Sequence, residues 1–400
     1  AEQIIALNVR QAQTDTRECA VCHRMDHLND GQKCSICEGL ELFSKAIQNR
    51  AFFAVTKTTD QDRILPLPVD CFLVAENESG LIQRMKSDPG YQRCYCKNDF
   101  YTGHELASKL WIGDYQNGDS FQELANGAGG IRRLAVFRAD IDNLGQAFVS
   151  GFESEKHGQR YVTLSRTATF SRKLALFFKR HINILLKNGE YFLLEDDEPE
   201  RKATIVYSGG DDMFVIGAWD DIIGFAVDLH DALAEYSEGT LTISAGIGLY
   251  PEKYPVSAMA RQTGELEDAS KAVPGKNAVT LFDQANSYSW DEFINQVLEE
   301  KFVLIRDFFQ SMEDYGKSFL YRLLELMRSR GEKINLARYA YLLTRMQPGD
   351  KASEEAKALY HQFSQKMYDW MKDDTQCRQA ITAIYIYIYT IREVNGGEQA

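Results

Sequence analysis

Two carboxylates stand side by side at Asp211-Asp212, behind Gly209-Gly210 and between the apolar runs ATIVYS and MFVIG. A third, Asp140, ends another apolar run, RRLAVFRAD, and is followed by Ile141-Asp142. Such runs read as buried strands, and a Gly-Gly-Asp turn between two of them reads as a hairpin. Adjacent strands of one sheet would bring Asp140, Asp211 and Asp212 together. Converging carboxylates repel unless a cation sits among them, so the arrangement calls for a divalent metal, Mg2+ or Mn2+. Metals bridging phosphate oxygens are what phosphoryl and nucleotidyl transfer require, because the reacting phosphorus and the departing pyrophosphate both carry charge. Gly209 and Gly210 leave backbone amides open to a triphosphate and leave positive φ angles free. Taken alone, Gly-Gly-Asp-Asp is also the sequence of an ordinary hairpin turn.

A second constellation lies near the start. Cys19-x-x-Cys22 and Cys34-x-x-Cys37 are separated by eleven residues. Each pair points two thiolates at one tetrahedral ion, and two pairs close a structural zinc site with no open position for catalysis. Disulfides are the competing reading, disfavoured in a reducing compartment. The intervening HRMDHLNDGQK has too few apolar residues to fold alone, so zinc would contribute roughly 10 kcal/mol or more to its order. His23 and His27 are further donors, but four cysteines saturate the ion. Cys94-x-Cys96 lies in the strand-like YQRCYCKNDF, and with Cys71 and Cys377 it reads as ordinary buried thiol.

The elements that must position these residues form an α+β protein. At 400 residues, two or three domains are expected. Four segments are distinguished: a zinc element at 1–50, a β-rich unit at 51–130, a catalytic palm at 131–285 and a helical domain at 286–400. In the β-rich unit the strand candidates are FFAVTK, ILPLPVDCFLVAE, QRCYCKNDF and KLWIGDYQ, and a Gly-rich connection ends near Gly130. Beyond it the order is strand, helices, strand, turn, strand, helix, strand, helix, strand, which is the ferredoxin-like plan of a palm. The run IYIYIY at Ile384–Tyr389 alternates like a strand, but without turn signals or a pairing strand it is assigned to a helix.

With 44% hydrophobic residues and no apolar run long enough for a bilayer, no membrane span is expected. The start AEQIIALNVR lacks a secretory signal, which suggests the cytoplasm. A net charge of −13 disfavours wrapping of nucleic acid by the whole surface. Such contact would be local, at Arg132 and Arg133, at the run from Arg160 to Arg180, or at Arg322 to Arg330. Solvated helix faces are the alternative reading of each.

The segments FRADIDNLG, SRTATFSRKLALFF, YSGGDDMFVIG, ISAGIGLY and KAVPGKNAVTLF together resemble the second palm of the large polymerase-like subunit of type III CRISPR effector complexes. The likeness is closest to the Csm, or type III-A, branch, and it extends to the four-cysteine element and to YGKSFLYRLLELM and ARYAYLL downstream. The resemblance implies an ATP-using synthetase of cyclic oligoadenylates, switched on when a guide-RNA complex binds target RNA. It implies that Asp140 and Asp212 bind the metals, that Asp211 contributes, and that the Ile141 carbonyl is a further ligand, with Asp142 supportive. Ser171, or else Ser165, would contact the base. Lys271 and Lys276 would hold the triphosphate, although the spacing before Gly275-Lys276-Asn277 is one residue longer than in the family pattern. Implied partners are other Csm-type subunits, guide RNA and target RNA.

The family's HD nuclease domain is expected only in a full-length member. His230-Asp231 is no substitute, since an HD site needs several His and Asp on multiple helices. The β-rich unit would be the remainder of the first palm region. The helical region would face a small partner subunit or a target-RNA duplex through Tyr385, Tyr387 and Tyr389, taken as exposed. Two alternatives stand beside this reading. One is a GTP-using dinucleotide cyclase. The other is a non-catalytic scaffold, which leaves the gathered carboxylates without a purpose.

Overall fold

The computed structural model describes residues 17–29, 31–58, 64–153, 156, 158–194, 198–311, 317–349 and 352–392. The chain divides into two compact units, residues 1–112 and 113–400.

In the first unit, strands β1 (Arg17–Glu18) and β2 (Met25–Asp26) pair antiparallel and carry the first cysteine pair. Helix α1 (Ser35–Asn49) starts immediately after Cys34, so the second pair lies on its N-cap and first turn. A five-stranded sheet follows, formed by β3 (Phe52–Thr56), β4 (Ile64–Leu67), β5 (Cys71–Glu76), β6 (Tyr91–Lys97) and β7 (Ser108–Leu110), in the order β4-β5-β3-β6-β7. The stretch ILPLPVDCFLVAE is therefore not one strand but a hairpin. Val69 and Asp70 adopt φ of 65° and 51°, and these left-handed residues reverse the chain after Pro68. Helix α2 (Glu78–Ser87) was not anticipated; Asn77 caps it by accepting from the Gly80 amide. Cys94 and Cys96 are both buried.

Only Lys109 and Leu110 of the strand expected from KLWIGDYQ are in one, β7, and from Gly113 the second unit opens with a strap. The Asn117 amide donates to the Ala203 carbonyl, and Gln116 bridges Thr204. Residues 113–130 thus pack with the palm, not with the β-rich unit. Helix α3 (Phe121–Asn126), N-capped by Ser120, leads to β8 (Leu134–Ile141). A short α4 (Leu144–Ser150) follows. Next, α5 (Leu164–Leu176) passes through one π-wound stretch, Phe177–His181, into α6 (Ile182–Lys187). Strands β9 (Ala203–Ser208) and β10 (Asp212–Ala218) form the hairpin around Gly209-Gly210. Helix α7 (Trp219–Tyr236), β11 (Ile243–Tyr250), α8 (Val256–Lys271), β12 (Ala278–Leu281) and β13 (Ser287–Ser289) complete the palm.

The sheet order is β13-β12-β11-β8-β10-β9. Four of its strands, β11-β8-β10-β9, are antiparallel neighbours in the ferredoxin-like order.

Alternation along β8 decides which side chains do what. Ala135, Phe137, Ala139 and Ile141 enter the large core beneath α5 to α7, whereas Leu134 and Val136 pack with Ile216, Tyr250 and Met259 on the other face. Arg138 and Asp140 continue that second face toward α8. Helix α8 approaches β11 closely. A β-carbon on Gly246 would lie 2.5 Å from the Glu267 amide nitrogen and 2.6 Å from the Thr263 carbonyl, so only glycine fits there.

The helical region winds as a π-helix over Glu292–Phe302 and continues as α9 (Val303–Ser311), α10 (Lys317–Arg328), α11 (Lys333–Thr344), α12 (Glu354–Lys372) and α13 (Asp374–Ile391). It shares one continuous hydrophobic core with the palm. Trp290 donates to the Ile243 carbonyl at 2.8 Å, and His230 stacks on Trp290 with ring centroids 4.9 Å apart. IYIYIY is helical, in α13, and its tyrosines are not the exposed set expected. Tyr387 is buried, and Tyr385 and Tyr389 are half-buried. A helix covered on most sides tolerates a period-two pattern that an amphipathic one would not. No described helix is long and apolar enough to cross a membrane.

Candidate active site

Asp140 and Asp212 are directly opposed in the ladder between β8 and β10. Ser244 of β11 is opposed to Asp140 on the other side. Directly opposed residues of an antiparallel pair share a face, so the two carboxylates are close neighbours, a pairing that destabilises a sheet unless something compensates it. Asp211 occupies the turn, its carbonyl accepting from the Ile141 amide at 3.2 Å. Burial, and then the charges of Asp140 and Asp212, raise the pKa of Asp211 above the usual carboxylate value.

The glycines act through space rather than through dihedral freedom. Neither Gly209 nor Gly210 has positive φ. A β-carbon at Gly209 would collide with the Tyr207 hydroxyl and lie 2.7 Å from Asp212 Oδ1, while Gly210 faces open space. The Tyr207 phenol bonds Asp212, and that bond raises its pKa.

On the same face, Lys271 at the end of α8 places its Nζ 2.7 Å from Asp140 Oδ2 and 2.7 Å from Glu267 Oε1. Burial pushes the pKa of this ammonium down, but the two carboxylates outweigh it and the pKa rises. Glu267 is buried and also bonds Arg138 Nε at 2.7 Å, so one carboxylate sets the position of two cations. Past α8, Gly275, Lys276 and Asn277 are successive left-handed residues. This turn brings Lys276 Nζ within 2.8 Å of Asn143 Oδ1. It also lets the Asn277 amide donate to Asp142. Asp142 is buried and accepts further from Thr242 and Ser244, so its oxygens serve the fold. The buried Asn277 Oδ1 has no hydrogen-bond partner among the described residues.

Beside this turn lies a cavity of about 490 Å3, its lining including Asp142, Asn143, Phe152, Phe170 and Thr242. Phe170, not Ser171, faces it; Ser165 and Ser171 are exposed on α5. The structure thus gathers Asp140, Ile141, Asp211, Asp212, Gly209, Gly210, Lys271 and Lys276 at one end of the sheet. It gives neither serine a contact with them. Sequence reading missed Glu267, Arg138 and Tyr207. The four-residue spacing of Glu267 and Lys271 on one helix was the available signal.

The aspartates supply the hard oxygen donors that Mg2+ and Mn2+ take, and the raised Asp211 pKa marks negative charge that a cation would relieve. Among the described residues, however, only Cys19, Cys22, Cys34 and Cys37 are drawn as tightly together as one ion needs, with their Sγ atoms all within 4.8 Å of one another. Backbone amides of Cys22, Cys34 and Val21 pull the Cys19 thiol down to about 6. Hydrogen bonding to Cys22, together with burial, pushes Cys37 up to about 12. A thiolate held among thiols is a donor set suited to zinc.

Residues 133–280 match the family model of the second palm domain of Cas10/Cmr2. Residues 306–393 match that of the second helical domain of the Cmr2 subunit of the CRISPR RNA silencing complex. Over 402 residues the chain is 42% identical to the CRISPR system single-strand-specific deoxyribonuclease Cas10/Csm1 (subtype III-A) of Mycobacterium tuberculosis, covering 98% of this chain and 49% of that protein. The Streptococcus thermophilus protein of the same name is 38% identical over 394 residues, covering 96% and 48%.

Among solved structures, Csm1 of T. onnurineus superposes with a TM-score of 0.65 at 24% identity, over 86% of this chain and 49% of that one. A Csm1–Csm4 cassette in complex with cA4 gives 0.61 at 24%, over 85% and 48%. At such identity these structures speak for the fold alone. The chain spans about half the length of the curated relatives it matches. By its palm, its helical region and these relatives, the chain belongs to the Cas10/Csm1 family of subtype III-A CRISPR systems.

Proposed function

We propose that this chain carries the nucleotidyl-transfer centre of an ATP-using synthetase of cyclic oligoadenylates, within a type III-A effector complex that target RNA switches on. One juxtaposition carries the reading: Asp140 and Asp212 face each other across β8 and β10, with Asp211 on the adjoining turn and Lys271 and Lys276 beside them. A sheet that served only as scaffold would gain from replacing either aspartate.

Asp140, Asp211 and Asp212 would hold Mg2+ or Mn2+, which when bound neutralises charge on the reacting phosphate and the leaving pyrophosphate. Lys271 then exchanges Asp140 for a triphosphate oxygen, and Glu267 keeps its ammonium in reach. Lys276 meets the triphosphate from the left-handed turn. Phe152 and Phe170 give the base an apolar wall, with Ser165 and Ser171 as the nearby hydroxyls on α5. The 3'-hydroxyl of one nucleotide gives its proton to solvent water as its oxygen bonds the α-phosphorus of the next. The bond from that phosphorus to the bridging oxygen breaks, and pyrophosphate departs. A last attack of the same kind within one oligomer closes the ring.

Adenine is the base in this reading, and cassettes of the same fold have been crystallised with one ATP, with pppApApA and with cA4. A Csm4-type subunit, guide RNA and target RNA are the partners in this reading, and the cytoplasm is its setting. Cys19, Cys22, Cys34 and Cys37 would hold Zn2+. The single-strand-specific deoxyribonuclease in the relatives' names is a proposal for the longer protein and is placed on none of the residues described above.

The test is to assemble the complex with α-labelled ATP, divalent metal and target RNA. Labelled oligoadenylate that resists phosphatase, having no terminal phosphate, supports the reading. Absence of any labelled oligomer with target RNA present contradicts it.

A further inference from the structure

The turn that carries Lys276 is strained and is held from outside itself. Lys276 and Asn277 keep φ at 55° and 48°, a region that residues other than glycine occupy only where their surroundings fix it. The Lys276 amide donates to the Val273 carbonyl at 2.8 Å, and the Asn277 amide donates to Asp142 Oδ2 at 3.0 Å. A further bond comes from beyond the palm's last strand: the Trp290 amide donates to the Asn277 carbonyl at 3.1 Å.

Trp290 is the first helical residue of the helical region and stands just before its π-wound stretch. Strand β12 leaves the Lys276 turn and pairs in parallel with β11, with Ala245 opposite Val279. Two residues back along these strands stand Ile243 and Asn277, and Trp290 bonds the carbonyls of both, Asn277 through its amide and Ile243 through its indole Nε1 at 2.8 Å. Ile243 is itself opposed to Ile141, next to the pair of Ser244 and Asp140. One residue therefore ties the Lys276 turn to the strand that flanks the aspartates. Its ring is fully buried, stacked on His230 at 25° between planes and met edge-on by Phe293 at 6.3 Å.

We propose that Trp290 is a positioning residue for the nucleotide's triphosphate. Through Asn277 it keeps the turn in the geometry that presents the Lys276 ammonium beside Asn143, so the helical region supplies part of the nucleotide site. A shift of about 1 Å imposed from outside a site is enough to cost it much of its efficiency. The proposal rests on the reading that Lys276 meets the triphosphate, but the order of the turn is measured without ATP.

Trp290→Phe keeps a ring against His230 and deletes the indole donor. Trp219→Phe is the matched control: Trp219 is also fully buried, opens α7 and donates its indole to a backbone carbonyl, that of Gly129 at 2.9 Å, beside the opposite end of β8. In the full chain, amide hydrogen exchange over residues 273–278 should quicken about tenfold in Trp290→Phe, with β8 and β10 as protected as in wild type, and should stay unchanged in Trp219→Phe. In the assembled complex Trp290→Phe should raise KM for ATP about tenfold, with kcat within about threefold. Lys276→Ala should raise KM as well, and adding Trp290→Phe to it should raise KM no further, because both act through one contact. His230→Leu, which removes the stacking partner, should give the same changes in smaller measure, and it decides if thermal melting shows that Trp290→Phe does not fold. Unchanged exchange in the turn, equal quickening there in Trp219→Phe, a KM that Lys276→Ala leaves unaltered, or an undiminished KM effect of Trp290→Phe on top of Lys276→Ala would overturn the proposal. A wild-type complex that makes no oligoadenylate would defeat the synthetase reading instead, and the exchange result would then decide whether Trp290 holds the turn.

Discussion

The two clusters of candidate metal ligands in this chain are built in opposite ways. The four cysteines of the first unit already converge, with every Sγ within 4.8 Å of the others, in a segment that has little else to order it. The three aspartates of the palm sit on a sheet that needs no metal to fold, and a lysine holds one of them. The first arrangement is closed and suits a structural ion. The second is open on one side, spreads its donors and keeps a movable cation at hand, as a centre that binds and releases phosphates requires.

Removing the proposed zinc should separate the two most sharply. Cys19→Ser/Cys34→Ser should abolish stoichiometric zinc and disorder residues near the cysteines, a loss of roughly 10 kcal/mol of local order. Limited proteolysis should cut there while the palm stays protected. Cleavage spread evenly over both units would break the contrast.

Asp211→Ala/Asp212→Ala should do the reverse. Nucleotidyl transfer should fall by about 10^3-fold or more, with the melting temperature unchanged or raised, since like charges are relieved. Lys271→Met comes next, at roughly 10^2-fold in turnover by steady-state kinetics in the assembled complex. A variant with full activity would show that Lys271 merely fills the space beside Asp140.

Asp88 supplies the smallest effect and the clearest counterpart to Asp211. Burial disfavours its charge, but donors from Thr58, Thr56, Arg84 and the Gly90 amide outweigh this and lower its pKa to about 2. A depressed carboxylate adds stability above its unfolded value, and this is lost as pH falls through the folded one. Asp88→Asn should therefore cost roughly 2 kcal/mol near neutrality, and the difference from wild type should shrink between about pH 4 and pH 2. Denaturant melts across that range measure it, and a constant gap would remove Asp88 as its cause.

Much of the site was legible because its residues sit at strand ends and in a turn, where apolar runs stop at Asp140 and Asp212. The cysteine spacing spoke for itself. The hairpin at Val69-Asp70 was hidden because it begins at a β-branched residue that rarely turns left-handed, so ILPLPVDCFLVAE read as one strand. Glu267 was hidden because its task depends on how α8 lies across β11, a closeness that Gly246 permits but does not announce. The tyrosines of IYIYIY were taken as exposed because pattern alone cannot show that both palm and helices cover α13. The boundary near Gly130 followed a composition shift, whereas the strap from Gly113 is tied to β9 by backbone bonds that leave no mark on composition.

The central claim is that Asp140, Asp211 and Asp212 transfer adenylate. The most direct measurement is pyrophosphate release from ATP and from GTP by the assembled complex, with and without target RNA, beside Asp211→Ala/Asp212→Ala. Release from ATP that needs target RNA and vanishes in the variant is the result predicted. Release from GTP instead, or from ATP undiminished in the variant, would contradict it.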